Sequence, residues 1–411
     1  MRFGARIVEV AEETSSNGGV EVFVATYHDT ADRRLARAHI ALRRRLRNGT
    51  GLWEAEIGGE VLSAPGGPAT LPEELARRLT APLRNRKLEE VVRLRTGTED
   101  VAVLEGQHVL RSYENLDIAL RDTVTPARER RTRRRAPAIE HVRAYLKAQV
   151  AEIERTDPLI RSGDDPDAVH DFRVAVRRMR SVLKSTRELF EEDWLRALRE
   201  ELRWIGGELA AARDLDVLLI RLRKEADSDG APVVKLLETE RRRAWKRARA
   251  ALSGERYLKL LDRLTAAVDA PPVRQSDLSL EAVARREFKK LYRAARKLGP
   301  KASAAEVHRA RILAKRARYA AELAEPVAGK RARRFVKAAK KFQDVVGSHQ
   351  DAVVAADRIR GVVDRTKSME SAFVAGRLVE RTTALRRKAR RELPRAWKRL
   401  ERQGRKAWAS S

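Results

Sequence analysis

The sequence predicts an α+β protein, in which a small, mostly antiparallel β domain precedes an all-α domain made of two similar, fused helical bundles. The first ~126 residues contain short alternating segments separated by Gly, Asn, Thr and Asp. After Pro137, hydrophobic residues recur with a period of about 3.6, which is typical of helices. We therefore place the β domain at residues 1–126, a basic linker at 127–136 and the helical domain at 137–411, with repeat halves at about 137–270 and 278–411.

The N-terminal domain is predicted from four strand-like segments and one helix. The segments VEVFVATY, HIALRRRL, GLWEAEI and DVAVLEG are rich in β-branched residues or alternate in polarity. The segment LPEELARRLTAPL reads as a helix, because Pro72 precedes acidic residues that favour a helix N-terminus. The following stretch ARERRTRRRAP is either a solvated linker or a flexible arm that recruits polyanions.

Composition limits the class of partner. The chain has 89 Lys and Arg against 59 Asp and Glu, a formal net charge of +30 and a pI near 10.9, which predicts an anionic partner. It has no cysteine, so disulfides and Cys-ligated metals are excluded. No apolar run approaches the ~18–20 residues of a membrane span, and the N-terminal residues lack a secretory pattern. We expect a soluble cytoplasmic protein without membrane insertion.

A basic stripe runs along the predicted helix that follows the breaker SGDDPD and contains HDFRVAVRRMRSVLK. At ~100° per residue, its cationic side chains share one helical face. The motif recurs 138 residues later as HRARILAKRAR. The next helix repeats as well, with Arg199 and Arg203 equivalent to Lys337 and Lys341. The two stripes comprise His170, Arg173, Arg177, Arg180 and Lys184, and His308, Arg311, Lys315 and Arg318.

Two interpretations of the stripes compete. A solvated basic face explains one helix alone, but such faces usually include acids, and neither stripe contains an acid before Glu322. Two related copies would instead bring their stripes together around a basic cavity. Phosphate groups suit such a cavity because Arg donates paired hydrogen bonds to their oxygens.

Two sets of residues beside the stripes need their own interpretation. His170 and His308 lie near helix starts and either contact an anion or have a structural capping role. Asp214, Asp216 and Asp351 are expected to pair with Arg side chains and to fix their direction, rather than to bind metal.

The repeated motifs VHDFRVAVRRMR and VHRARILAKRAR, with LAAARDLDVLL and VVGSHQDAVVAA, resemble the CHAD domain, the conserved histidine α-helical domain. The resemblance extends from about Pro137 to Ser411. It implies two pseudo-symmetric four-helix bundles around a basic centre that binds inorganic polyphosphate. The implied ligand contacts are His170, Arg173, Arg177, Arg180, Arg199 and Arg203, with His308, Arg311, Lys315, Arg318, Lys337 and Lys341.

The N-terminal domain resembles a degenerate CYTH or triphosphate-tunnel domain. ATYHDTADRRLARAHIALRRR is similar to that family's Tyr-Asp-Thr segment and its Leu-Arg-x-Arg strand, which implies that Arg43 and Arg45, with Arg93 and Arg95, face phosphate. The Glu-x-Glu-x-Lys motif that holds the catalytic metal in active members has no match in RIVEVAEE, GVEVF or WEAEI. Because triphosphate hydrolysis needs divalent metal, we expect an inactive binding or scaffolding domain.

The sequence thus predicts a non-enzymatic polyphosphate-binding protein, with no catalytic residue, metal site or cofactor. One alternative is a nucleic-acid-binding or nucleoid protein, although the stripes lack the interleaved aromatic residues that stack on bases. The other is a triphosphatase that acts through the N-terminal domain. Association with polyphosphate or other storage granules, weak nucleic-acid binding and any oligomeric state are left open.

Overall fold

The computed structural model describes residues 23–47, 50–84, 86–96, 101–105, 108–114, 116–124, 132–163, 167–223, 231–299, 302–366 and 369–408. It contains two compact units. The first comprises the described residues of Met1–Arg130 with Ala151–Phe172, and the second comprises those of Arg131–Val150 with Arg173–Ser411. The predicted domain boundaries stay predictions, and residues 127–131 of the predicted linker lie outside the described residues.

A seven-stranded antiparallel sheet is the framework of the first unit. Its order is β4-β3-β2-β1-β5-β6-β7. The four predicted strands are present, and three further strands accompany them. The strands are β1 (Phe23–Asp29), β2 (Ile40–Arg47), β3 (Thr50–Ile57), β4 (Glu60–Pro65), β5 (Glu89–Thr96), β6 (Val101–Glu105) and β7 (His108–Tyr113). The predicted mostly antiparallel β domain is confirmed.

The turn between β3 and β4 shows how the sequence determines this sheet. Ile57 pairs with Glu60, so only Gly58 and Gly59 form the turn. Their φ angles are 63° and 90°. A two-residue turn of this kind needs positive φ at both positions, where a side chain would be strained. The Gly-Gly pair therefore fixes the register of the hairpin.

Four short helices accompany the sheet: α1 (Arg34–Arg37), α2 (Glu73–Arg78), α3 (Thr80–Leu83) and α4 (Leu116–Thr123). The prediction of one helix over LPEELARRLTAPL is wrong, because the chain breaks at Leu79 between α2 and α3. Pro82 has no N–H to donate to the carbonyl group four residues earlier, so an unbroken helix would lose a backbone hydrogen bond there. One face of the sheet packs Tyr27 and Leu94 against Ala119 of α4.

Helices account for nearly all of the described chain after Pro137. The all-α prediction for this region is confirmed. The helices are α5 (Ala138–Ser162), α6 (Ala168–Ser185), α7 (Glu192–Arg223), α8 (Ala231–Ser253), α9 (Glu255–Asp269), α10 (Leu280–Ala295), α11 (Ala304–Leu323), α12 (Glu325–Ala328), α13 (Lys330–Thr366) and α14 (Met369–Trp408).

The helix boundaries reproduce the sequence repeat. Helix α13 begins 138 residues after α7, and α14 begins 138 residues after α8. The first copy interrupts its last helix at Gly254, between α8 and α9, whereas α14 continues through the equivalent region and contains Pro394. In the second copy, α10, α11, α13 and α14 contact one another in a closed ring. The predicted pair of pseudo-symmetric four-helix bundles is confirmed.

The packing of α6 on α7 has a counterpart in the packing of α11 on α13 in the second copy. In the first copy, Gly206 of α7 leaves room for Val176 of α6, whose Cγ1 lies 3.3 Å from where a glycine Cβ would stand. In the second copy, the position equivalent to Val176 is Ala314, and Gln343 of α13 donates a 2.8 Å hydrogen bond to its carbonyl oxygen. The larger residue thus lies on α6 in the first copy and on α13, the equivalent of α7, in the second copy.

Candidate functional site

The same ion pair occurs in both repeats. Arg173 of α6 donates to Asp214 of α7 at 3.1 Å, and Arg311 of α11 donates to Asp351 of α13 at 3.4 Å. The Arg side chains are 22% and 24% exposed, and the Asp side chains are 49% and 48% exposed. The expected pairing of Asp214 and Asp351 with Arg is therefore confirmed, with matching environments in the two copies.

Asp216 has a different role from Asp214. It is buried, and it accepts hydrogen bonds from Arg241 of α8 and from Trp245 Nε1. Its expected pairing with Arg is also confirmed, but the partner lies on α8 and not on the stripe. Asp216 therefore fastens α8 to α7.

The two basic stripes meet at Tyr319. The Arg177 Nε of α6 donates to the Tyr319 hydroxyl of α11 at 3.3 Å. The guanidinium groups of Arg178 and Arg318 lie 5.8 and 4.8 Å from the centre of the same ring. Tyr319 is only 1% exposed, so its ring is a fixed part of the junction. It joins the first copy to the second with the Arg177 hydrogen bond and the Arg178 cation–π contact, whereas Arg318 contacts it from the same helix.

Lys315 lies beside this junction in a strongly positive environment. Burial, followed by the nearby charges of Arg311, Arg177 and Arg318, lowers the pKa of Lys315 to about 7, against the opposing effect of Asp351. Arg177 and Lys315 are equivalent positions of the two repeats. Arg177 lies close enough for its charge to act on Lys315, so the two stripes are adjacent, as the repeat suggested.

A group of cations lies at one end of the contact between α6 and α11; we call it the arginine cluster. Burial and the charges of Arg203 and Arg199 lower the pKa of Arg180. Arg316 on α11 acts most strongly in lowering the pKa of Lys184, followed by burial and Arg199. The cluster comprises Arg180, Lys184, Arg199, Arg203 and Arg316.

The arginine cluster is rich in unneutralised donors. In the described part of the chain, no carboxylate lies within 4.0 Å of Arg180, Lys184, Arg199 or Arg203. The Nε atoms of Arg180 and Arg199 are buried without a hydrogen-bond partner there. Arg316 alone has acidic contact, with the buried Glu287 at 2.9 Å, which Lys290 shares at 2.7 Å. Such a site favours a multivalent anion.

The repeat-related positions form the counterpart cluster: Arg318, Glu322, Lys337 and Lys341 of the second copy, with Arg178 of the first. Glu322 replaces Lys184 there. It forms ion pairs with Arg318 at 3.2 Å and Arg178 at 3.6 Å, and it accepts a hydrogen bond from Tyr145 at 3.3 Å. Lys337 and Lys341 are exposed on α13. The second stripe is therefore partly neutralised.

Most of the predicted site residues are thus brought together, and some are not. His308 is exposed on the first turns of α11, and His170 is exposed in the part of α6 that belongs to the first unit. Nothing in this geometry assigns either histidine a ligand, so their roles stay predictions. The sequence-based set omitted Arg316, Arg178, Tyr319 and Glu322. The 138-residue offset pairs Arg178 with Arg316, and that shared basic character was the available signal.

The basic residues of the N-terminal domain are arranged differently from the tunnel that the CYTH resemblance implied. Arg43 and Arg45 bind the buried Glu54 at 2.7 Å each. They lie on the sheet face that carries Tyr27, which pairs with Arg43 across β1 and β2. Arg93 pairs with Thr26, so Arg93 and Arg95 point to the opposite face. The two pairs of arginines thus lie on opposite faces of the sheet, and contact of any of them with phosphate stays a prediction.

Comparison with known proteins identifies the helical region. The family model of the CHAD domain matches residues 144–360, more than half of the chain. The chain belongs to the CHAD domain family. The matched CHAD segment runs from α5 to α13 and contains both basic stripes. The seven-stranded sheet lies outside that match, and it is consistent with the predicted CYTH-like resemblance.

Solved structures and relatives agree with this CHAD assignment. The crystal structure of the CHAD domain from the plant Ricinus communis is 27% identical, with a TM-score of 0.55, and covers 67% of this chain and 95% of its own. PptA from Streptomyces chartreusis is 23% identical, with a TM-score of 0.52 over 64% of this chain and 100% of its own, which shows the fold alone.

Two uncharacterized proteins from two strains of Mycobacterium tuberculosis are also similar. Each is 30% identical to this chain over 293 residues. The alignment covers 66% of this chain and 55% of each relative, so the chain spans about half the length of these curated relatives.

The described residues contain neither a candidate membrane-spanning helix nor a candidate metal site. No helix in the described part of the chain is long and apolar enough to cross a membrane. Within those same residues, no group of three or more His, Cys, Asp or Glu side chains could hold a metal ion.

Proposed function

We propose that this protein binds inorganic polyphosphate, without hydrolysing it, along the basic surface that α6, α7, α11 and α13 form. The observation that carries the proposal is the convergence of Arg177 and Lys315, equivalent residues of the two repeats, beside Tyr319. It creates one continuous cationic surface from two copies. Membership of the CHAD family, whose resemblance implies polyphosphate binding, supports the same ligand.

Phosphate chains fit this surface for a physical reason. Each internal phosphate carries about one negative charge, and the chain is flexible enough to follow cations spread over two helix pairs. Arg donates paired hydrogen bonds to phosphate oxygens, while Lys supplies a compact charge. Binding would also release counterions, so affinity would fall steeply with salt.

The central residues provide the test. Replacing Arg177 and Lys315 together by Gln is expected to weaken binding of long-chain polyphosphate by about tenfold or more at about 0.15 M salt. The matched control is Arg243→Gln with Lys246→Gln on exposed positions of α8, measured below pH 7, where Lys315 is charged and both double variants remove the same charge. Equal losses in the two double variants would reduce the interaction to non-specific attraction by net charge and would refute the proposal.

Competition decides between polyphosphate and nucleic acid. In one titration unlabelled double-stranded DNA competes with labelled polyphosphate, and in the other unlabelled polyphosphate competes with labelled DNA, at the same phosphate concentration. We expect polyphosphate to displace DNA much more readily than the reverse. If DNA competes equally well, the protein is better described as a general polyanion binder.

The absence of hydrolysis is also part of the proposal. Arg43 and Arg45 already share the carboxylate of Glu54, so that the acid is engaged by cations. Tripolyphosphate and ATP should release no phosphate with Mg²⁺ or Mn²⁺. Release that disappears in a Glu54→Gln variant would assign a triphosphatase to the N-terminal domain instead.

A further inference from the structure

The two ends of the α6–α11 contact differ in charge although the repeat makes them equivalent. At one end, Lys184 of α6 lies near Arg316 of α11. At the other end, Arg178 of α6 forms an ion pair with Glu322 of α11. Lys184 and Glu322 are equivalent positions, as are Arg316 and Arg178. One position has thus changed from a base to an acid between the copies.

A second exchange increases this asymmetry. Glu287 of α10 pairs with Arg316. Aligning RREFK from Arg285 with RAYLK from Arg143 makes Tyr145 of α5 its equivalent, and Tyr145 donates to Glu322. At the arginine cluster the acid is Glu287, which is only 1% exposed and is bound by both Arg316 and Lys290. In the counterpart cluster the acid lies on the stripe itself, 18% exposed, between Arg178 and Arg318. An approaching anion would meet unopposed cations at one end and a carboxylate at the other.

The flanking helices extend the difference. Arg199 and Arg203 of α7 face Arg180 closely enough for their charges to lower its pKa. Their equivalents on α13 are the exposed residues Lys337 and Lys341. Arg provides forked, planar donors for phosphate oxygens, whereas Lys provides a single ammonium group. The arginine cluster thus surpasses its counterpart in the geometry of its donors as well as in its net charge.

We infer that the arginine cluster binds the terminal phosphate of a phosphate chain, and that the counterpart cluster binds only internal phosphates, more weakly. This inference rests on the proposed function. A terminal phosphate offers three free oxygens and up to two negative charges, while an internal phosphate offers two free oxygens and one charge. A compact group of cations whose acid, Glu287, is buried matches the terminal group better than the counterpart cluster, where Glu322 lies between Arg178 and Arg318. The bound chain would then have a fixed direction.

The test compares two matched double variants. Arg199→Gln with Arg203→Gln, and Lys337→Gln with Lys341→Gln, each remove two charges from equivalent positions. Affinity is measured by calorimetry for linear hexaphosphate and for cyclic hexaphosphate, which has no chain end. The wild-type protein should prefer the linear form by about tenfold, because the unopposed cations gain most from a doubly charged end. The α7 variant should lose most of this preference, and the α13 variant should keep it.

A substitution that adds charge gives an independent readout. Glu322→Lys should make the counterpart cluster resemble the arginine cluster, and it should raise the stoichiometry of linear hexaphosphate from one chain towards two. Lys184→Glu should weaken the linear form selectively. Unfolding curves for each variant establish that it folds before its affinity is compared.

Three outcomes separate the inference from the proposed function. Equal affinity of the wild-type protein for linear and cyclic hexaphosphate would overturn the inference. So would equal loss of the linear preference in the α7 and α13 variants. If the wild-type protein binds no phosphate chain of either form or of greater length, the proposed function itself fails.

Discussion

The hydroxyl group of Tyr319 accepts a hydrogen bond from Arg177 at 3.3 Å, and this contact joins the two copies of the helical repeat. The equivalent residue of Tyr319 in the first copy is Ser181, which is too short to reach across in the same way. A single large residue thus supplies the central polar contact of a nearly symmetric junction. Substitution of Tyr319 should therefore change the stability of the protein separately from its binding of anions.

Substitution of Tyr319 tests this junction. Tyr319→Phe removes only the hydroxyl group and should lower the free energy of unfolding by about 0.5–1.5 kcal/mol. Tyr319→Ala also empties a buried volume and should cost about 3–5 kcal/mol. Urea denaturation followed by circular dichroism measures both. Similar losses in the two variants would contradict a packing role for the ring.

Binding should depend on pH through Lys315. Its pKa of about 7 means that it is charged below this pH and largely neutral above it. The affinity for long-chain polyphosphate should therefore fall, by roughly fivefold, as the pH rises through 7, with the midpoint displaced upward because the anion stabilises the charged form. Long chains are used because their internal phosphates do not titrate in this range.

The control for this pH dependence is Lys315→Arg, which keeps the charge at all of these pH values. Its affinity should vary little with pH. Between pH 7 and the ordinary lysine pKa of 10.5, Lys315 is protonated in the unfolded chain and largely neutral in the free folded protein. The free energy of unfolding should therefore rise with pH across that window. A pH profile that is unchanged by Lys315→Arg would assign the titration to another group.

The repeated Arg–Asp pairs predict a gain of affinity. Asp214→Asn with Asp351→Asn removes two negative charges from the basic surface, so polyphosphate should bind about three- to tenfold more tightly. Both pairs are partly exposed, and their loss should cost less than ~1 kcal/mol each in stability. Titration with polyphosphate measures the change. A weaker complex would mean that the direction imposed on Arg173 and Arg311 matters more than the charge removed.

A buried ion pair predicts a stability effect in the first unit. Arg84 donates to Glu154 at 2.6 Å, and the two side chains are 2% and 7% exposed. Glu154→Ala would leave a buried guanidinium without its carboxylate and should cost about 3–5 kcal/mol. The double variant Arg84→Leu with Glu154→Leu should be more stable than the single one. Thermal unfolding of the three proteins makes the comparison; a single variant as stable as the wild type would mean that water reaches Arg84.

The sequence predicted those features of the fold and site that depend on periodicity. The 138-residue offset identified equivalent helices and both basic stripes, and an offset of 137 after a one-residue deletion identified the carboxylates opposite Arg173 and Arg311, because equivalent residues keep equivalent neighbours. The role of Tyr319 was not predictable in this way. It depends on how two helices from different copies cross, and a helical wheel of either helix alone contains no information about that crossing.

The remaining differences have local physical causes. Strands β4 and β7 lie at the edges of the sheet, where alternation is weak, and the helix over LPEELARRLTAPL was divided by Pro82. The significance of Glu322 depended on finding Arg178 and Tyr145 beside it, which come from two other helices. Contacts between distant segments thus decided the role of Glu322.

Asp214 and Asp351 act as built-in counterions for the surface on which they lie. Under the proposed function, an arriving phosphate chain would displace them from Arg173 and Arg311, and a departing chain would leave those arginines with a partner already in reach. Such an exchange would make release easier at both copies. A surface of this kind would hold a highly charged polymer and still give it up.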